Sequence, residues 1–144
     1  MNSSLVATLA FVVAAPALKD PPKGEPPSVI GEWELQEWLD GGKPRTYSSG
    51  ASVEFLPDGR RIWREDGTAD ERSYKLISKT TPYAMDLIRP SGAQEPAVFH
   101  AIYKVEGDTL VICVAQQGQE RPVKFDTSRE ANHMVMTYKR MKKK

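Results

Sequence analysis

The sequence predicts an all-β protein, in which about eight antiparallel strands form an up-and-down barrel. Three observations support this fold class: apolar and polar residues alternate over short segments, turn signals separate these segments, and no segment has the spacing of an amphipathic helix. The chain has 144 residues, of which 40% are hydrophobic and 27% charged, as is typical of one soluble domain. Antiparallel strands without crossover helices must close on themselves or form a sandwich.

Nine segments show the alternation. Most end at a turn, such as Pro57-Asp58-Gly59 or Glu106-Gly107-Asp108, where proline and glycine supply the required backbone angles. In chain order the segments are marked by Trp33 and Leu35; Val53 and Phe55; Arg61 to Arg64; Tyr74 and Leu76; Met85 and Leu87; Phe99 to Val105; Leu110 to Val114; Val123 and Phe125; and Met134 to Tyr138.

The side chains assigned to the interior of the barrel are mainly large. Because an eight-stranded barrel is just wide enough to be filled by side chains or to hold one small ligand, we expect them to fill most of the lumen. The predicted interior comprises Trp33, Leu35, Val53, Phe55, Tyr74, Leu76, Met85, Leu87, Phe99, Ala101, Tyr103, Leu110, Ile112, Val114, Val123, Phe125, Met134, Met136 and Tyr138.

The N-terminal segment is typical of an export signal. Residues from Leu5 to Ala15 are apolar except for Thr8, and small residues at positions 15 and 17 suit a signal peptidase. We therefore expect a signal peptide over 1–17 and export to the periplasm, the cell envelope or the medium. The apolar stretch is shorter than the roughly 20 residues of a spanning helix, so we expect no membrane span after cleavage.

The remaining chain divides into a spacer, a domain and a tail. A Pro-rich linker is predicted over 18–28, the barrel domain over 29–140 and a basic tail over 141–144. The formal net charge is only +1, which argues against a nucleic-acid partner.

Four short blocks carry a family resemblance. Gly31-Glu32-Trp33 resembles the Gly-x-Trp opening of the calycin group, which includes the lipocalins and the fatty-acid-binding proteins. Together with residues 40–44, 102–113 and 118–122, it is similar in order and spacing to a family of small lipocalin-like domains of unknown function that is expanded in planctomycete bacteria. One departure is the second glycine of Gly41-Gly42, which lengthens a loop and is expected to matter little.

The resemblance implies a lipocalin-like barrel and no established activity. In calycins the tryptophan of this motif packs at the closed end of the barrel against a basic residue from the last strand. Arg140 has the same parity as Tyr138 on that strand, so Gly31, Trp33 and Arg140 are predicted to form a structural group.

No combination of residues in the sequence indicates catalysis. The two histidines, His100 and His133, lie outside any triad or metal spacing, and Cys113 is expected to be a packed, inert thiol. His133 and Met134 would point to opposite faces of a strand, so copper binding would require a bulge. We predict a protein without enzymatic activity, catalytic residues, cofactor or metal, and an enzyme is the remote alternative.

Two kinds of binding remain open. The first interpretation is an interaction module, because strand 110–115 is apolar on both faces and could be covered by a protein partner or a second subunit. The alternative is a carrier of a small apolar ligand in a shallow pocket. In that case Glu37, Tyr74 and Tyr103 are the predicted ligand-binding residues at the barrel mouth.

Overall fold

Residues 27–77, 79–92 and 94–142 are described by a computed structural model. The predicted signal peptide over 1–17, and the predicted linker except for its last two residues, lie outside this part of the chain. The described residues contain no helix and form nine strands: β1 Gly31–Asp40, β2 Lys43–Pro44, β3 Ser52–Phe55, β4 Arg60–Glu65, β5 Thr68–Ile77, β6 Tyr83–Ser91, β7 Gln94–Glu106, β8 Thr109–Val114 and β9 Met134–Arg140. The described residues therefore include no helix that could span a membrane.

Eight of these strands form a closed antiparallel barrel. Their order around the barrel is β9-β8-β7-β6-β5-β4-β3-β1, and β1 pairs back with β9. The two-residue strand β2 pairs only with β1. Every pairing is antiparallel, which confirms the predicted fold class.

The interior follows the predicted alternation on most strands. Exceptions are Leu76, which is 39% exposed, and Val123 and Phe125, which lie outside the barrel. The confirmed core comprises Trp33, Leu35, Val53, Phe55, Tyr74, Met85, Leu87, Ala101, Tyr103, Leu110, Ile112, Val114 and Tyr138, with Phe99, Met134 and Met136 partly buried beside it.

The strand predicted around Val123 and Phe125 is wrong. Val123 is 80% exposed, and this part of the chain forms a loop, because β9 pairs directly with both β8 and β1 and so completes the barrel without it. Phe125 packs instead against the outer face of the barrel, on a cluster that contains Ile102 and Cys113. Val123 and Phe125 have the spacing of a strand, but they belong to a loop that covers the outer face of the sheet.

This loop, residues 115–133, explains why β8 is apolar on both faces. Cys113 is fully buried on the outer face, with its Sγ atom 3.8 Å from the carbonyl oxygen of Lys124. The chain itself thus covers the surface from which a protein partner or homo-oligomer through 110–115 was inferred. A protein partner or second subunit stays a prediction, but the apolar outer face of this strand no longer supports it.

Arg121 fixes the loop to the barrel wall. Its guanidinium donates hydrogen bonds to the backbone carbonyls of Met85 at 2.9 Å and Ala101 at 3.0 Å. It also donates to the carboxylate of Asp86 at 2.7 Å, which lies 2.8 Å from Nδ1 of His100. Burial opposes ionisation of Asp86, but the hydrogen bonds from His100 and Arg121 outweigh it and hold the pKa of this carboxyl below its ordinary value.

Gly42 matters more than the sequence suggested. Its φ is +83°, and an added Cβ atom would lie 2.6 Å from the carbonyl oxygen of Thr127 in the covering loop. The second glycine therefore lets the β1–β2 turn approach this loop closely. The expectation that it only lengthens the turn is wrong.

Candidate ligand-binding cavity

The barrel contains a cavity of about 330 Å³ that is partly open to solvent. Its walls come from all eight barrel strands and include nine residues of the predicted interior: Val53, Phe55, Leu87, Phe99, Ile112, Val114, Met134, Met136 and Tyr138. Large side chains of the predicted interior pack against one another in the rest of the barrel, so the lumen is filled in part and open in part. Apolar walls of this kind bury the hydrocarbon part of a ligand.

Three arginines from adjacent strands line the same cavity. Arg61 on β4 is the register partner of Arg72 on β5. Arg89 follows Ile88, which pairs with Ser73, so it lies beside Arg72 in the neighbouring strand β6. All three side chains lie on the inner parity and border the cavity. They form an arginine row across the barrel wall.

Arg61 is the most buried member of this arginine row. It is 8% exposed, and its Nε atom donates one hydrogen bond, at 3.3 Å, to the backbone carbonyl of Ser73. Desolvation, together with the nearby charges of Arg72 and Arg89, lowers the pKa of its guanidinium to about 10. The group stays protonated at neutral pH, so a full positive charge lies in the barrel lumen.

The acidic partners of the arginine row are few. Arg72 forms a 2.7 Å ion pair with Asp70, whereas Arg61 and Arg89 form no ion pair with any acidic group of the described residues. Like charges at close range raise the free energy of the folded state unless an anion lies between them. The row therefore provides a binding surface for negative charge.

Two tryptophans form the rim next to the arginine row. The rings of Trp38 and Trp63 meet edge to face, with their centroids 6.2 Å apart. The guanidinium of Arg45 lies 4.5 Å above the ring of Trp38 and forms a 3.2 Å ion pair with Asp40. Such stacking keeps a flexible arginine in place at the entrance.

The two indole N–H groups differ in their partners. That of Trp63 donates to Glu65 at 3.2 Å, and the same carboxylate accepts the backbone N–H of Ser48 at 2.8 Å. The N–H of Trp38 is buried and finds no acceptor among the described residues. A buried donor without a partner carries a desolvation cost of roughly 1 to 3 kcal/mol.

Glu37 does not point into the barrel, contrary to its prediction as a ligand-binding residue. Thr137 of β9 pairs with Glu37 and Tyr138 with Leu35, so Gln36 is an extra residue in β1. This β-bulge reverses the parity of the rest of the strand. Trp38 consequently takes the inward position, and Glu37 is exposed on the outer side.

The two predicted tyrosines lie in the core but do not border the cavity. The hydroxyl of Tyr74 donates to the carbonyl of Leu56 at 2.7 Å. Tyr103 is 5.8 Å from Tyr83 between ring centroids, and burial raises the pKa of its phenol to about 12. Both rings are packing residues, and the structure does not bring either together with Glu37.

Gly31, Trp33 and Arg140 come together as a group at one end of the barrel. The guanidinium of Arg140 lies 4.2 Å from the centroid of the Trp33 ring, and the indole N–H donates to the carbonyl of Val29 at 2.9 Å. Gly31 has a φ of +125°, which only glycine adopts readily. This contact lies away from the lining of the cavity.

Cys113 and His133 form a second pair of reactive residue types, outside the barrel. Sγ lies 3.6 Å from Nδ1 of the imidazole, but burial raises the pKa of the thiol to about 11. The thiol is therefore protonated at neutral pH and is a poor nucleophile. In the part of the chain that the structure describes, no three His, Cys, Asp or Glu side chains are placed to hold a metal ion.

Reasoning from sequence missed the polar half of the cavity. Arg61 and Trp63 alternate with Ile62, and this pattern could have placed both residues in the lumen with Val53 and Phe55. The same parity relates Arg72 to Tyr74 and Arg89 to Leu87. Charged residues are rarely buried, and for that reason none of the three arginines was assigned to the interior.

Comparisons of this chain with protein-family models, curated proteins and solved structures find no match. The resemblance to the planctomycete lipocalin-like family therefore stays a prediction. The chemistry of the cavity must be inferred from its own side chains.

Proposed function

We propose that this protein binds a small amphipathic molecule inside its barrel. The observation that carries the proposal is the cavity of about 330 Å³ within a closed sheet. Ligand pockets in proteins commonly measure about 300 to 1,000 Å³, so the space suits one small molecule. Of the two kinds of binding inferred from the sequence, the cavity favours the ligand carrier.

The distribution of wall residues supports an amphipathic ligand. Ile112, Val114 and Leu87 provide an apolar wall, while Arg61 and Arg89 provide charged donors to the same space. An apolar tail against the former and a polar head against the latter would satisfy both surfaces. The role of the protein would be to solubilise, store or deliver this molecule.

The arginine and tryptophan side chains at the polar end support binding rather than proton transfer. Guanidinium groups keep their protons far above neutral pH, and an indole N–H does not titrate. Groups that remain donors through the physiological range can orient a ligand but cannot accept a proton from it. We therefore propose a non-enzymatic carrier.

A neutral fluorescent probe tests whether the cavity binds ligands. N-phenyl-naphthylamine should bind the folded protein with increased emission. The variant Val114→Phe places an aromatic ring in the cavity wall and should weaken probe binding at least tenfold. The variant Val123→Phe, at a position that is 80% exposed, should not change probe binding. Melting curves of both variants check that they fold. A probe that binds wild type and Val114→Phe equally would contradict the proposal.

We also propose that the protein is exported. The support is the apolar segment from Leu5 to Ala15, followed by small residues at 15 and 17. Mass spectrometry of the protein from its own host tests this directly. A mature chain that begins at Leu18 is expected, and a cytoplasmic chain that retains residues 1–17 would refute it.

A further inference from the structure

The arginine row indicates which head group the ligand carries. We propose that the ligand is a monoanion, with a carboxylate bound between Arg61 and Arg89 and with its apolar tail in the barrel. This inference rests on the proposed function, because it names the chemical class of the same ligand.

The first argument is the position of Arg61. Its side chain lies on the inner face, opposite Phe55 in the strand register, and it is buried with one backbone hydrogen bond from Nε. The side chain borders the cavity, and its terminal nitrogens form no hydrogen bond with the described residues. A buried guanidinium ordinarily has a carboxylate or phosphate partner. In this barrel the ligand would provide it.

The second argument is a neutral donor on the cavity wall. Tyr138, which is buried and lines the cavity, donates only to the Sδ atom of Met136 at 3.4 Å, and thioether sulfur is a weak acceptor. Burial raises the pKa of this phenol, so the hydroxyl keeps its proton. A donor without a strong acceptor matches a ligand group that only accepts, as a carboxylate does.

The third argument is the charge balance. Four arginines line the cavity: Arg45, Arg61, Arg72 and Arg89. Three carboxylates lie with them, since Glu65 is part of the lining, Asp40 pairs with Arg45, and Asp70 pairs with Arg72. One positive charge is left over, so one negative charge neutralises the site. A dianion would overcompensate it, and a cation would be repelled.

Competition against the neutral probe tests the head group. Octanoate, octanol and octylamine have the same tail length and differ in charge. At neutral pH octanoate should displace N-phenyl-naphthylamine from the wild-type protein at a concentration at least about tenfold below that of octanol, since charge-assisted hydrogen bonds are stronger than neutral ones. Octylamine should be the weakest competitor. Equal potency of octanoate and octanol would overturn the proposal.

Variants assign the preference to the arginine row. Arg61→Met should lower the preference for octanoate over octanol roughly tenfold to a hundredfold. Arg60→Met is the matched control, because Arg60 is exposed and paired with Asp58. Arg89→Met, at the exposed rim, provides a second test that does not alter the core. Loss of octanoate and octanol together in both arginine-row variants would contradict a head-group role.

The two proposals fail in different ways. If the probe does not bind wild-type protein at all, the carrier function is refuted. If the probe and octanol bind while octanoate has no advantage, the cavity binds ligands but the carboxylate inference is refuted.

Discussion

Replacing Arg61 by methionine should make the ligand-free barrel more stable. Burial and the neighbouring arginines lower the pKa of this guanidinium from 12.5 to about 10, and each pH unit corresponds to about 1.4 kcal/mol. The charged form thus costs the folded state about 3 kcal/mol. Methionine retains an apolar stem of similar length and loses only the hydrogen bond to Ser73, which contributes about 1 kcal/mol. The net gain should be about 1 to 3 kcal/mol.

Urea unfolding of ligand-free protein at neutral pH measures this gain. Arg61→Met should have a higher midpoint than wild type with an unchanged slope, whereas the control Arg60→Met, at an exposed position, should have nearly the wild-type midpoint. A lower midpoint for Arg61→Met would refute the reasoning, because it would mean that the buried charge stabilises the fold.

The pH dependence of the difference provides a second check. Between about pH 10 and pH 12.5 the folded protein releases the Arg61 proton while the unfolded chain still binds it. The unfolded state then binds more protons, so the stability of wild type rises with pH relative to the variant. The difference between the two proteins should be constant below pH 9 and should shrink above pH 10. A difference that grows with pH would contradict the assigned cause.

Four further predictions concern the frame around the cavity. Trp33→Ala should lower the free energy of unfolding by about 3 to 5 kcal/mol, and a midpoint equal to wild type would contradict its role as a core residue. Arg121→Ala should cost about 1 to 3 kcal/mol and increase amide exchange in residues 115–133; unchanged exchange there would show that Arg121 does not fix the loop. Cys113 should resist alkylation at pH 8 until urea unfolds the chain, and rapid labelling of folded protein would refute its burial. Gly42→Ala should cost more than about 1 kcal/mol and more than Gly107→Ala, whose added methyl group meets open space; equal costs would refute the close contact.

Local alternation was sufficient to predict most of the barrel. Each hairpin places residues such as Phe99, Tyr103 and Ile112 on one face, because side chains in a strand point alternately to opposite sides. This information lies within a few residues and needs no knowledge of the rest of the chain. Val123 and Phe125 show its limit, since an equal spacing occurs where a loop crosses the outer face.

The site depended on information that lies between strands. The bulge at Gln36 arises from the pairing of β1 with β9, and no local signal in β1 shows that Trp38, and not Glu37, faces inward. The arginine row likewise becomes visible only when the register places Arg61 beside Arg72. Sequence patterns could therefore assign each arginine to the inner face, but they could not show that the three lie side by side on one wall of the cavity.

The substitution Arg61→Met should raise the stability of the ligand-free protein and weaken anion binding. These opposite effects separate a ligand-binding role of Arg61 from a structural one. A structural arginine would hold its neighbours in place, so Arg61→Met would lower both the unfolding midpoint and the affinity for every ligand. A binding arginine raises the free energy of the empty barrel and is compensated only when an anion occupies the cavity. Arg61→Met should then raise the midpoint of ligand-free protein, while octanoate should stabilise wild type more than the variant. Both measurements use one variant and one ligand, and a structural role predicts the opposite sign for the first.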